Sequence, residues 1–307
     1  MYDSIIILGP TATGKTKISI ELAKRFNTEI VNADSMYIYK KLDIGTAKPT
    51  IEEMSGVIHH LISIVSPIDT FNVSQYRLMA SVVIKNMINE NKLPIIVGGT
   101  GFYIDSLINN YSYASSSSIE LRNDLEKQLS LYGKEFLYNK LKSMDPSTAQ
   151  KLHINDTKRV IRALEINLST GKNCSSINNN NDPILKNPLI IGLNIERAEL
   201  YNRINYRVDL MMNSGLIDEV KKLYDSGLRP DINQAMKGIG YKEICAYFDG
   251  KYTLDKAVDL IKQHTRNYAK RQITWFKRNS NIIWLNPNCL TIIDDIINLF
   301  NKEKSTI

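Results

Sequence analysis

The sequence predicts an α/β protein. It has a parallel sheet covered on both faces, a helical insertion, and a mainly helical C-terminal region. Three observations carry this reading. Short β-branched runs without polar alternation, such as Ser4–Leu8 and Leu189–Leu193, have the composition of strands buried on both faces. Segments of helical periodicity follow them. The runs in the first hundred residues end at polar or glycine-rich motifs, and ligands gather at the carboxyl ends of strands in such sheets.

Taken in order, Ser4-Ile5-Ile6-Ile7-Leu8 is the first strand, Gly9 to Gly14 a loop, and Lys15 to Phe26 a helix. Glu29 to Asp34 reads as a second strand with an acid at its C-terminal end. A helix is expected from about Ser74 to Asn89, then a third strand over Leu93–Val97, ending at Gly98-Gly99-Thr100-Gly101. After Tyr113 the texture changes. Ser115–Ser118 reads as a polar linker, Ile119–Lys142 and Thr157–Leu168 as helices, and Asn178–Asn181 with Asp182-Pro183 as a second loop. Leu189–Leu193 returns to a buried strand, and from Arg197 onward the pattern is mainly helical. The expected organisation is an α/β core from residues 1–114 and 185–307, interrupted by a helical insertion over 115–184. Residues 286–307 carry no signal that could be used.

Composition narrows the class. The 307 residues are 43% hydrophobic and 23% charged, which excludes a disordered or collagen-like chain. The formal charge is +7 and unevenly placed. Residues 1–110 hold 10 basic and 10 acidic side chains, whereas 200–278 hold 15 and 9. Within the latter, 264–278 (HTRNYAKRQITWFKR) has five Lys or Arg residues and no acid. On a helix, Arg266, Lys270, Arg271, Lys277 and Arg278 fall on one broad arc; Tyr268, Ala269, Trp275 and Phe276 lie opposite, with Ile273 the exception. That arc is either a solvated face or a phosphate-contacting one. Cys174, Cys245 and Cys289 form no CxxC, which disfavours a disulfide scaffold and points to a reducing cytoplasm. No secretion signal is expected, because no basic segment precedes the apolar run that stops at Gly9. No stretch approaches the roughly 20 apolar residues of a membrane span. No heptad seam demands a dimer, so a monomer is expected.

Gly9-Pro10-Thr11-Ala12-Thr13-Gly14-Lys15-Thr16 matches G-x-x-x-x-G-K-[ST] in full, between a strand and a helix. Glycines let successive backbone N–H groups point at one anion, and the helix start adds its positive dipole end. Lys15 supplies a mobile cation, and Thr16 a hydroxyl for Mg²⁺. The core is therefore expected to be P-loop NTPase-like, binding a phosphate or diphosphate. The loop alone leaves the reaction open: a kinase, an ATPase or a diphosphate-releasing transferase. A GTPase is disfavoured, since no N-K-x-D signature is found.

Asp34-Ser35-Met36-Tyr37 follows the second strand. An aspartate there can hold Mg²⁺ through water, accept a proton from a nucleophile, or cap the next turn. Gly98-Gly99-Thr100-Gly101 either lets a ligand approach beside the Thr100 hydroxyl or forms a tight strand–helix turn. His59 and His60 are not expected to bind metal, as no third ligand has an evident spacing.

The motifs together resemble the tRNA dimethylallyltransferases, also called tRNA isopentenyltransferases. The resemblance rests on GPTATGKT (9–16), DSMYIYK (34–40), LDIGTAKP (42–49), HHLI (59–62), GGTGFYI (98–104), NDTKRVIRALE (155–165), GIGYKE (238–243) and TRNYAKRQITWFKR (265–278). It implies transfer of a dimethylallyl group from its diphosphate to N6 of the adenosine 3′ of the anticodon, in tRNAs reading codons that begin with U. Diphosphate leaves and Mg²⁺ assists. It implies that the insertion grips the anticodon stem-loop. By resemblance Asp34 contacts N6 and is the candidate general base, Thr100 sits near the transfer site, and Lys15 and Thr16 act on the departing diphosphate, which is held by Gly9 to Thr16.

The family pattern places tRNA contacts at Asp34, Ser35, Met36, Tyr37 and Thr100, at Arg122, and at Lys158, Arg159, Val160, Ile161 and Arg162. It adds Lys237, Gly238, Ile239, Gly240, Tyr241 and Lys242. Lys158 and Arg162 are four apart with Arg159 beside them, which suits a phosphate-tracking face or ion pairs with Asp156 and Glu165. The chain departs from the family at three places. Tyr37 stands where Gln is usual, Ser63 where Asp is common, and Lys237-Gly238 where small residues precede IGYKE. A tyrosine offers one hydroxyl and a stacking face where glutamine offers a two-way base contact. Two other readings remain at this stage: a small-molecule kinase and a non-catalytic RNA-binding protein.

Overall fold

The computed structural model describes residues 2–109, 119–174 and 182–302. Residues 115–118 and 178–181, expected as linkers, lie outside the described residues. The chain divides into two compact units, Met1–Asn109 with Pro183–Ile307, and Asn110–Asp182.

The larger unit is built on six parallel strands. They are β1 (Ser4–Leu8), β2 (Ile30–Asn32), β3 (His59–His60), β4 (Ile95–Gly98), β5 (Pro188–Leu193) and β6 (Ile283–Leu285), in the order β3-β2-β4-β1-β5-β6. Ile6 of β1 sits opposite Ile96 on one side and Ile190 on the other. Every residue of β1 is buried, as its uninterrupted apolar run requires. The pleat divides its side chains. Ile5 and Ile7 face α1 (Lys15–Arg25) and α12 (Ile292–Lys302), packing with Ile18, Leu22, Ile296 and Phe300. Ile6 and Leu8 face the other layer, where Tyr76, Ala80 and Ile84 of α3 (Val73–Asn89) and Ile104 of α4 (Gly101–Ile108) lie. That layer continues into α9 (Leu216–Asp225), α10 (Tyr241–Phe248) and α11 (Leu254–Phe276) through Val220, Ile244 and Ile261. A short α2 (Ile51–Met54) precedes β3, and α8 (Arg197–Asn213) follows β5. The strand order matters for the site. Because β4 lies between β2 and β1, the segments after these three strands are neighbours in space.

The expected α/β class and all-parallel core are thus observed. Two of the strands leave no signal in the sequence. β3 has two residues and β6 three, too few for any periodicity to register. α12 had been missed as well. Its Ile292, Ile296 and Phe300 are four apart and form the buried stripe that docks it.

The smaller unit holds α5 (Ile119–Met144), α6 (Pro146–Lys151) and α7 (Thr157–Thr170). Gly133 interrupts α5 in the left-handed region (φ 81°), so the expected single helix is kinked there. Asp145 and Asp156 cap α6 and α7. The unit has its own core of Leu125, Leu137, Leu141, Val160, Ile161 and Leu164. This corrects two expected tRNA contacts. Val160 and Ile161 turn inward on the helical period and are 1% and 3% exposed, so their side chains are unavailable to RNA. Lys158 and Arg159 remain exposed and Arg162 half-buried. Arg159 pairs with Asp156, while Arg122 and Arg162 both reach the buried Glu165 carboxylate, at 3.2 and 3.0 Å. The ion pairs weighed against RNA contact are therefore present. Among the described residues no helix is long and apolar enough to cross a membrane.

Candidate active site

The loop after β1 owes its path to Gly9. Its φ of 148° lies in the region that favours glycine, and a Cβ there would stand 2.6 Å from the Leu193 carbonyl oxygen of β5. The Thr13 hydroxyl donates to the Pro10 carbonyl at 2.8 Å and closes the turn. Gly14 caps α1 without a side-chain acceptor, which leaves the first-turn N–H groups for an anion. Lys15 folds back over the loop, its Nζ donating to the carbonyls of Gly9 (3.0 Å) and Pro10 (2.8 Å). Burial lowers its pKa to about 8, against the pull of Asp34, while Arg207 lowers it further. A cation in that condition gains most from a phosphate partner. The Thr16 hydroxyl has no hydrogen-bond partner among the described residues.

The segment after β2 is tied down by Asn32. Its Oδ1 accepts the Asp34 N–H at 2.9 Å, and its Nδ2 donates to the carbonyls of Asp34 and Leu61. Asp34 Oδ1 accepts the Met36 N–H at 2.9 Å, so the carboxylate also caps its own turn. Burial raises the Asp34 pKa, opposed by the Met36 N–H, by Lys15 and by Arg207. The group is therefore a stronger base than an exposed aspartate.

Thr100 follows β4 at the N-cap of α4, yet its hydroxyl makes no capping bond. It accepts the Ser35 N–H at 2.9 Å and donates to Ser35 Oγ at 3.2 Å, which joins the segments after β2 and β4. Tyr268 of α11 lies against the same Thr100 side chain. Burial, and then Asp34, hold the Tyr268 phenol above its ordinary pKa, so it stays neutral.

These segments open on one cleft of about 1270 Å³, lined by Lys15, Thr16, Asp34, Tyr37, Arg207 and Arg271 among others. Lys237, Gly238, Ile239 and Lys242 also reach it. Gly240 and Tyr241 are both buried, which corrects their expected place at the RNA surface. Tyr241 is fully buried, and its hydroxyl donates to Glu219 Oε1 at 2.6 Å. Glu219 also accepts the N–H groups of Asp43, Ile44 and Gly45, so the LDIGTAKP stretch is held by a carboxylate of α9. Tyr37 lines the cleft, but its hydroxyl donates to the Ala47 carbonyl at 2.7 Å. Ser63 Oγ accepts from the buried Lys48 ammonium at 2.9 Å, and Asp43 supplies that ammonium with its carboxylate at 2.6 Å. His59 and His60 bond the Val57 carbonyl and Glu29.

Three site residues were missed in the sequence. Gln272 of α11 joins two of the loops: its Oε1 accepts the Thr11 N–H at 3.0 Å and its Nε2 donates to the Gly99 carbonyl at 2.9 Å. Gly99 has to be glycine for this, since a Cβ would stand 2.2 Å from Nε2. A signal existed, for Gln272 shares its helical face with Ala269 and Phe276 and is a lone polar residue on a buried stripe. Arg207 of α8 reaches Thr11 Oγ1 at 3.4 Å and bears on Lys15, Asp34 and Tyr37, with no spacing to betray it. In the sequence, Tyr268 shows only as part of the apolar side of a basic helix.

Known proteins share this architecture. The family model described as IPP transferase matches residues 37–279. The chain belongs to this family. It is 48% identical over 287 residues to the tRNA dimethylallyltransferase of Alkaliphilus metalliredigens, covering 92% of this chain and 91% of that one. It is 47% identical to the Acetivibrio thermocellus enzyme of the same name, over 94% and 93% of the two chains. Among solved structures, the full-length tRNA isopentenylpyrophosphate transferase of Bacillus halodurans superposes with a TM-score of 0.75 at 42% identity, covering 100% of this chain and 99% of that one. A eukaryotic dimethylallyltransferase acting on tRNA superposes with a TM-score of 0.86 at 31% identity, covering 100% and 80%. The expected family, fold and prenyl-transferring enzyme class are borne out. The family members' P-loop-like core is the sheet described above, with its phosphate loop after β1.

Proposed function

We propose that the chain moves a dimethylallyl group from dimethylallyl diphosphate to N6 of the adenosine 3′ of the anticodon, in tRNAs reading codons that begin with U. The observation that carries this is the meeting of Lys15 and Asp34 in one cleft, a phosphate-seeking cation beside a carboxylate of raised basicity. The new bond joins N6 to the allylic carbon. The carbon–oxygen bond to diphosphate breaks, and diphosphate departs with the electron pair. Lys15, Arg207 and the α1 N–H groups stabilise the growing negative charge on that leaving group. Asp34 takes the N6 proton as the bond forms, so a free adenine anion is never required. The adenine must leave its stack to enter the cleft, and Tyr37, whose hydroxyl is already bonded, would offer it a stacking face.

Mg²⁺ belongs to this reading. The described residues contain no group of three His, Cys, Asp or Glu side chains able to hold a metal. Mg²⁺ characteristically keeps several waters and takes few protein ligands beside a phosphate. The Thr16 hydroxyl, without a hydrogen-bond partner among the described residues, would hold the cation beside the diphosphate. When bound, the cation supplies further charge neutralisation on the leaving group.

The proposed enzyme acts as a cytoplasmic monomer. Every residue lining the cleft comes from one unit of one chain, and all three cysteines are free thiols. Incubation of the purified chain with dimethylallyl diphosphate, Mg²⁺ and an anticodon stem-loop should add one dimethylallyl group to the RNA, read by mass spectrometry. No mass gain on the adenosine substrate, or equal gain when guanosine replaces it, refutes the reading. ATP consumption without RNA would instead indicate a kinase.

A further inference from the structure

Helices α8 and α11 bring three cations around one phenol outside the proposed transfer chemistry. The guanidinium carbons of Arg197 and Arg266 lie 5.3 and 6.0 Å from the centre of the Tyr201 ring, and Lys270 Nζ lies 5.9 Å from it. Arg197 Nε donates to the Tyr201 oxygen at 3.1 Å, and Lys270 reaches the same oxygen. Arg266 is steered by Asn205, whose Oδ1 it meets at 2.6 Å.

The cluster is electrostatically unfinished. Among the described residues, none of the three cations has a carboxylate within ion-pair distance, and the neighbouring acids are engaged elsewhere. Glu196 accepts the N–H groups of Ala198 and Glu199 at the start of α8. Glu199 pairs with Arg203 and Asn288. Two cationic donors therefore converge on a neutral phenol oxygen, in the place an anionic oxygen would occupy. Partial burial raises the Tyr201 pKa, but the Arg197 and Lys270 contacts outweigh it and bring the phenol below its ordinary value. Like charges at this spacing repel, and an anion relieves the repulsion.

The position of the cluster says which anion. α11 sends Tyr268, Arg271 and Gln272 into the cleft and presents Arg266 and Lys270 within about 40° of each other on the helical wheel. α8 sends Arg207 into the cleft, and Arg197 stands ten residues earlier, about 15 Å along the helix. That is a reach of several phosphates along a nucleic-acid strand. A polyanion whose one base lies in the cleft would run its backbone over this rim.

We propose that Arg197, Arg266 and Lys270, organised by Tyr201, form a phosphodiester-binding site for the tRNA backbone several nucleotides from the modified adenosine. The proposal rests on the reading that tRNA is the substrate. The test is full-length tRNA binding across a salt series, for wild type and for Arg197→Gln/Lys270→Gln. Losing two phosphate contacts should make the plot of log affinity against log salt shallower by about 1.4–1.8, and binding roughly ten- to thirtyfold weaker at 0.15 M salt. Arg197→Lys/Lys270→Arg should restore most of the slope. Neutralising Lys85 and Lys256, exposed elsewhere, controls for bulk charge, and thermal melts check the fold. Unchanged slope and affinity in the double Gln variant, with wild type prenylating tRNA, overturns this site alone. A loss equalled by the Lys85/Lys256 control overturns it too. A wild-type chain that neither binds nor prenylates tRNA overturns the function reading and the site with it.

Discussion

Gln272 provides the sharpest test of how the cleft is held. Replacing it by Met keeps the length and removes both polar atoms. Two backbone groups then lose their partner inside the protein: the Thr11 N–H and the Gly99 carbonyl, now bonded at 3.0 and 2.9 Å. Gln272 is 5% exposed, so solvent cannot readily replace it. An orphaned buried group costs about 1–3 kcal/mol, which makes about 2–6 kcal/mol for the pair. At roughly 1.5 °C per kcal/mol for a chain of 307 residues, the melting point should fall by about 3–9 °C. Catalysis should suffer beyond stability. The phosphate loop and the Thr100 segment would lose their common tie, and a misplacement of about 1 Å costs on the order of 10²-fold in rate. Calorimetric melts and steady-state kinetics in dimethylallyl diphosphate measure the two effects. Leu223→Ala, a buried α9 truncation outside the cleft lining, is the control for stability loss alone. Gly99→Ala should act through the same contact, because its Cβ would displace Nε2, so the double variant should cost little more than the worse single one. A Gln272→Met enzyme with wild-type melting and wild-type kcat/KM refutes the reasoning.

Three further outcomes are expected. Lys15 has its pKa lowered to about 8 in the ligand-free protein, so its buried charge opposes folding fully below that pH and progressively less up to its ordinary 10.5. Diphosphate favours the charged form, so titration calorimetry at pH 8.5 in buffers of different ionisation enthalpy should show proton uptake that Lys15→Arg lacks; equal uptake in the variant contradicts it. Asp34 has a raised pKa, so the limb of kcat/KM that falls as pH drops should lie above the ordinary carboxylate range. Asp34→Asn should lose about 10²–10⁴ in kcat while tRNA affinity changes little, and an equal loss of both would make Asp34 a binding residue only. Glu219→Ala strands three backbone N–H groups and the Tyr241 hydroxyl. Its three part-buried partners should cost about 3–9 kcal/mol in urea unfolding, and an unchanged midpoint would show that the LDIGTAKP stretch is held by something else.

How much was legible follows the range of the forces involved. The sequence alone determined what local steric and hydrogen-bonding rules dictate. These are the buried run Ser4–Leu8, the phosphate loop at 9–16, the acid at the end of β2 and the glycines after β4. It also determined the family, because eight motifs in order are specific where each alone is not. It misjudged residues whose role depends on direction. Tyr241 and Val160 sit inside basic or family-matched stretches, yet the helical period turns both into cores. Only the tertiary structure decided what holds the loops together, because those contacts join residues far apart in sequence. Thr11 meets Gln272 across 261 positions, and Gly45 meets Glu219 across 174. No local pattern encodes such a pairing. It arises when the sheet order places β1, β2 and β4 side by side and packing fixes which face of α8, α9 and α11 looks inward. The charge of +7 shows the same division: composition supplied its amount, and the packing of α8 against α11 decided that three cations would stand around Tyr201, with no acid among the described residues within ion-pair distance.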